Sequence, residues 1–358
     1  MASLILKQIE RGTVLFAAAD TTKTVTLATA LTDTAKTVLL FSSKSNSSDS
    51  VNYQVLGRVL STTQIQFERI GSPSFACTVE YQVIEFTQGI TVQHFYFSQT
   101  SGTINTTITA VTLAKAFPII TIAQSGTSFG ANDLMSAEIT TTTNLQTIMS
   151  NFSTCPVAVQ VVEIDDAAVQ KLKPAAWTTG ATLNVTVTTI DPAKTFWFFS
   201  LTDNTSANCD QWPYCSYVNS TTLRFTKNYS GSFGSKDIVL YVVSLSNGVA
   251  VQNISTVIAS GASSVSPAIT TVVLAKTALL LNGIYQHLAS SGEADDDGGD
   301  GAFALTNLTA TQFDALRGGT PAYDATTNVQ VLEFTNPNWF LLPNKNSVFN
   351  DTLLNGVR

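Results

Sequence analysis

A run of strand length, VEYQVIEF at 79–86, returns three times: as AVQVVEI at 158–164, VLYVVSL at 239–245 and NVQVLEF at 328–334. Three copies carry a glutamate before a final apolar residue, at Glu85, Glu163 and Glu333; the third copy has Ser244 there. A second marker keeps the same period. A lysine enters an apolar run at Lys36, Lys115, Lys194 and Lys276, with spacings of 79, 79 and 82 residues. Val-Gln pairs at 92–93, 169–170 and 251–252 are a third marker in register. Independent markers that share one period mean a tandem repeat. The chain divides into modules 1–86, 87–164, 165–245 and 246–334, followed by a tail, 335–358. The tail's Trp339, Phe340, Leu341 and Leu342 need something to dock on.

Composition narrows the fold. Hydrophobic residues make up 44% of the 358, too many for a disordered chain. Charged residues are only 12%, and Thr, Ser and Asn fill the gap, which suits pleated sheet. A net charge of −7 without a basic cluster argues against a nucleic-acid partner. The longest apolar stretch, 269–281, is cut by Lys276 and too short for a membrane. In the opening MASLILKQIERG, Lys7, Glu10 and Arg11 interrupt any signal-peptide core, so synthesis in the cytoplasm is expected.

Each module reads as short strands, and the class as all-β: four tandem antiparallel β-sandwiches of about 80 residues plus the tail. In module one, strands are expected from Lys7, over 22–27, over 36–41, and as two short strands within 59–69 joined at Ser61-Thr62-Thr63. Residues 42–49 read as a polar loop. The counterparts of the second strand are expected at 106–111, 183–190 and 269–274. Residues 305–313 read as one strand, 167–172 as a single helical turn, and His287 as a loop residue. Pro118 demotes its strand to an edge or a bulge. The lysine-led runs are apolar on both parities, as in Phe196-Trp197-Phe198-Phe199. One face serves the module's own core, so the other must be covered by a neighbouring module, a second subunit or a larger partner.

Little in the chain suggests catalysis. His94 and His287 sit at non-equivalent positions, and no nucleophile elbow, Walker loop or dinucleotide fingerprint occurs. Glu85, Glu163 and Glu333 belong to separate modules, whereas a glycosidase pair must lie within about 10 Å. They read instead as sandwich-edge residues paired with the module lysines. Cys77 and Cys155 read as small buried hydrophobes. Cys209 and Cys215 are close enough in sequence for a local disulfide. The insertion EADDDGGDG at 293–301 offers hard oxygen ligands, so Asp295, Asp297 and Asp300 are the candidate Ca²⁺ ligands, although the spacing departs from the EF-hand loop. Loops 201–216 and 286–303 are the candidate contact surfaces, with Trp212 and Tyr214 as the aromatic residues suited to stacking on a sugar.

One further likeness rests on the ordered series Lys36-Thr37, apolar run, Ser/Asn loop, Thr62-Thr63-Gln64-Ile65-Gln66-Phe67 and Gln82-Val83-Ile84-Glu85-Phe86. Module three repeats it as Lys194-Thr195 and Thr221-Thr222-Leu223-Arg224-Phe225. The series resembles H-type-lectin-like β-sandwich domains, and more closely the tandem modules of fibre, decoration and other minor structural proteins of tailed bacteriophages. It spans roughly 5–334. The resemblance implies a non-enzymatic virion protein, without a membrane, that meets other virion proteins and presents loops to host-surface glycans. It also implies a homo-oligomer, with a trimer favoured. The alternative is a carbohydrate-binding adhesin.

Overall fold

The computed structural model describes residues 2–47, 50–124, 133–150, 154–203, 213–227, 236–287, 303–318 and 324–335. The chain is all-β, and each repeat builds six strands in the same order. Unit one contains β1 (Ile5–Phe16), β2 (Thr22–Thr26), β3 (Thr37–Ser45), β4 (Leu56–Val59), β5 (Gln64–Glu68) and β6 (Cys77–Gln88). Unit two contains β7 (Ile90–Gln99), β8 (Thr103–Thr107), β9 (Ala116–Ile122), β10 (Ser136–Thr141), β11 (Asn144–Ile148) and β12 (Cys155–Ile164). Unit three contains β13 (Ala167–Leu172), β14 (Thr182–Thr186), β15 (Thr195–Asp203), β16 (Tyr214–Asn219), β17 (Thr222–Thr226) and β18 (Lys236–Leu245). Unit four contains β19 (Val249–Ile258), β20 (Ser264–Val265), β21 (Thr277–His287), β22 (Phe303–Thr306), β23 (Asp314–Arg317) and β24 (Ala325–Phe334).

Within a unit the first, last and third strands form one antiparallel sheet, with the last in the centre, as in β1-β6-β3. The second, fifth and fourth form the other, as in β2-β5-β4. Side chains of both sheets meet in a sandwich core: in unit one Leu39, Val79 and Val83 of the first sheet pack with Ile65 and Phe67 of the second. Cys77 and Cys155 lie in such cores, as expected. The cores of units three and four are continuous.

The repeated polar residues hold the units' turns. The carbonyls of the β4–β5 turn, Thr63 and Thr62, accept from Leu27 and Leu31 N–H, and Thr143 and Thr142, Thr221 and Ser220, and Thr311 and Ala310 do the same in the other units. This explains one displaced expectation. Residues 108–111, 187–190 and 269–272 are apolar like strands, but their N–H groups hang from those turns and the second strand lies earlier in sequence. In the Val-Gln pairs, Gln93, Gln170 and Gln252 each donate through Nε2 to the carbonyl of Thr109, Thr188 or Thr270 and accept that residue's N–H through Oε1. Unit one has Glu10 at this place. A carboxylate can only accept, and it takes two N–H groups, of Ala28 and Thr29.

Other expectations are corrected. Residues 167–172 are strand, pairing with β18, since β-sheet partners override a weak helical pattern. Residues 42–45 extend β3, His287 ends β21, and 305–313 is the end of β22 followed by the connection to β23. The 59–69 hairpin turns at 61–63 as expected. Pro118 does lie on an edge strand, as do its counterparts on β3 and β15, while β21 also meets β16 through the single pair Tyr214–Gly283.

The four units close into a ring, each gripping the one before it. Gln160 of β12 binds Leu39 of β3, accepting its N–H and donating to its carbonyl, both at 2.8 Å. Gln82 of β6 grips Leu279 of β21 in the same way, at 2.8 and 2.7 Å. Gln330 of β24 accepts from Trp197 N–H at 3.1 Å and donates to the Thr195 carbonyl at 3.3 Å. Each carboxamide thus mimics one more peptide on an open sheet edge. The residue after the Val-Gln marker, or its equivalent, adds a second contact. His94 hydrogen-bonds Thr34 O, Arg11 donates to Leu274 O and Thr277 O, and Asn253 donates to Pro192 O.

The remaining interface, unit three on unit two, is built differently, and the sequence says why. The residue to be gripped is Pro118, which has no N–H. The gripping position holds Tyr241 instead of glutamine, and its hydroxyl accepts from Ile139 N–H of β10 at 2.8 Å. Lys171 and Lys173 there pair with Glu138, each at 2.8 Å. The two departures from the repeat therefore face each other.

Candidate functional site

The edge strands β3, β9, β15 and β21 surround the axis of the ring. Their alternation decides what lines it. Leu39, Trp197 and Leu279 turn into their own sandwiches, whereas Val38, Phe117, Phe196 and Ala278, and one step on Leu40, Ile119, Phe198 and Leu280, meet in one axial cluster fed by all four units. Phe117 and Phe198 stack across units with centroids 5.1 Å apart. The doubly apolar strands are thus covered within the chain, by neighbouring modules. That was one of the three coverings expected, and the faces themselves require no second subunit.

Two residues further on, the axis becomes polar at its wall. Ser42 Oγ accepts from Leu305 N–H, Ser200 Oγ from Ala137 N–H, and Thr121 Oγ1 lies 3.3 Å from Gly57 N and 3.5 Å from its carbonyl. Each of these bonds joins an edge strand to the fourth strand of the preceding unit. Between these hydroxyls lies a pocket of about 330 Å³, lined by residues 39–43, 118–122, 198–201 and 279–281 with Gln54, Asp133, Phe303 and Leu305. A cavity of this size, largely apolar with a few polar groups, is of the kind that holds small molecules. A smaller void of about 40 Å³ lies on the other side of Leu40, Ile119 and Phe198.

The residues singled out in the sequence lie elsewhere. Lys36, Lys115 and Lys276 each end a 3-10 turn that leads into an edge strand. Lys36 Nζ donates to Thr87 O at 2.8 Å, and Lys194 Nζ donates to Ser246 O at 3.2 Å. Glu85 is 1% exposed and pairs with Lys7 at 2.9 Å, not with Lys36. The common task of the glutamates is to accept N–H groups ahead of the turn: Thr32 and Asp33 on Glu85, Thr112 on Glu163, Val273 on Glu333. In unit three, Ser244 instead shares a hydrogen bond with Thr195 at 2.9 Å.

Tyr214 is half-buried at the start of β16, opposite Thr226 and Gly283, so it is part of a sheet. Cys215 is a buried free thiol, and Cys209, the partner expected for it, lies outside the described residues. Trp212, Asp295, Asp297, Asp300 and the tail lie outside the described residues. Among the described residues no cluster of three metal-binding side chains occurs, and no helix is long and apolar enough to cross a membrane.

Sequence reasoning missed the buried cations at the end of the fifth strand. Arg69 is 1% exposed, lies over the Phe16 ring and donates to the carbonyls of Ala17, Asp20, Asn52 and Phe75. Arg317 is equally buried and donates to Ala259 and Ala262 O, while Lys227 lies over Trp177. A cation at the same spacing from the turn threonine, in Thr63–Arg69, Thr221–Lys227 and Thr311–Arg317, was the available signal. No family model matches the chain, and no curated protein does.

Proposed function

We propose that the protein is a non-enzymatic structural component of a tailed-phage particle, a fibre, spike or decoration on head or tail. The observation that supports it is the closed ring, in which side chains of each unit grip the backbone of the unit before. Such a ring is a rigid mount. Four equivalent strands, β3, β9, β15 and β21, run towards the same pocket end, so the segments that follow them start around one mouth. Loops 201–216 and 286–303 begin there and are the surfaces for host contact. The resemblance to phage fibre and decoration modules supports such a mount on a virion, with synthesis in the host cytoplasm. Immunogold labelling of purified particles tests this: label on head or tail is expected. Particles free of the protein while the lysate contains it would overturn it, and turnover of a polysaccharide would overturn the non-enzymatic part.

The gathering of strand ends at one mouth also favours a second reading, an adhesin that binds cell-surface carbohydrate. Glycan-array binding that is lost in Trp212→Ala would select it; no binding by the wild type would remove it.

A further inference from the structure

We propose that the axial pocket binds one aliphatic chain bearing a hydrogen-bond donor at its end, an alkyl alcohol being the simplest case. The inference rests on the pocket alone and holds whether or not the chain is part of a particle. Size comes first. At about 30 Å³ for each water-sized group, 330 Å³ holds a molecule of about ten heavy atoms. Composition comes next: the wall is mostly aliphatic and aromatic carbon, which suits an apolar chain.

The wall chemistry selects the ligand. Ser42, Ser43, Thr121 and Ser200 bring hydroxyls to the pocket, yet each is engaged with backbone: of Leu305, Tyr53, Gly57 and Ala137 in turn. Ser43, Thr121 and Ser200 turn their O–H to backbone carbonyls and Ser42 accepts from an N–H, so most of the wall they offer a ligand is carbon. One acceptor differs. Gln54 donates through Nε2 to Asp133 O at 3.2 Å, which fixes the carboxamide, and its Oε1 is shielded from solvent with no partner. An unmet acceptor is costly, and a ligand that brings a donor relieves that cost. A ligand hydroxyl at the end of an alkyl chain supplies the donor, with a small turn of the Gln54 side chain, and the chain fills the pocket.

Titration calorimetry of the full chain with 1-decanol tests this. Saturable binding of one molecule per chain is expected, with the negative heat-capacity change of apolar burial. Ile119→Phe, which fills the axis, should weaken binding at least tenfold, and Leu280→Phe from the facing wall should do the same. Gln54→Leu should weaken decanol about fivefold, the worth of one hydrogen bond, and leave decyl methyl ether, which has no donor, unchanged. No saturable binding, or binding indifferent to both filling variants, would overturn the site. Equal decanol affinity in wild type and Gln54→Leu would overturn the donor requirement.

Discussion

At the residue scale, the chain uses side-chain amides where other folds use strands. Gln82 and Gln93 make the same pair of bonds to one peptide unit, but Gln82 is buried at an interface and Gln93 is at the surface. Water can replace the second and not the first. Gln82→Ala should therefore cost about 2–4 kcal/mol in denaturant unfolding and Gln93→Ala under about 1 kcal/mol; equal costs would contradict the burial argument. His94 adds a pH dependence. Burial lowers its pKa, against the opposing pull of hydrogen bonds with Thr34 and Thr37 backbone. The folded chain thus takes up the proton less readily than the unfolded one. Stability is full above the unfolded value of about 6.5 and falls as the pH drops through and below it. Between about pH 7.5 and about pH 5 the wild type should lose more in melting temperature than His94→Gln, which can keep the bond to Thr34 O. The thiols give a third expectation. Burial pushes Cys77 and Cys155 up to about 12 and raises Cys215 well above the ordinary thiol value, so iodoacetamide at neutral pH should leave all three unmodified in the folded chain, read by peptide mass.

At the element scale, the strands were legible and their polar partners were not. Period-two runs and Thr-rich turns place most strands, because burial writes its pattern directly into hydrophobicity. The partner of Lys36 is a carbonyl, as are those of Gln93 and Arg69, and a carbonyl leaves no mark in the sequence because every residue has one. Pairing lysine with glutamate by charge was therefore a misleading guide. The second strands were misplaced for a related reason: 108–111 is apolar since it packs, but its hydrogen bonds go to a turn. The Pro118–Tyr241 interface shows how elements co-adapt. Tyr241→Gln should destabilise the chain, because Pro118 offers its amide no N–H and Ile139 N–H loses its acceptor. Adding Pro118→Ala should restore at least about 1 kcal/mol of that loss, measured as a double-mutant cycle. Strict additivity would contradict the pairing.

At the scale of the whole molecule, the repeat and its covered strands were readable, but not the ring. Doubly apolar runs say that something covers them, and hydrophobicity carries no address. The address is held by Gln82, Gln160, Gln330 and Tyr241, one residue in each closing strand. Nor was the axial pocket visible, since its wall is made of segments from all four units that look like ordinary core. Closure between the last unit and the first is the decisive feature, because a string of sandwiches would lack it. Leu279 lies outside the single pair, Tyr214–Gly283, through which β21 meets β16, and its N–H goes to Gln82 of the first unit. Amide hydrogen exchange at Leu279 reads this directly. A ring predicts exchange as slow as that of interior strand amides in the wild type, and selectively faster exchange in Gln82→Ala. Fast exchange at Leu279 in the intact protein would contradict it.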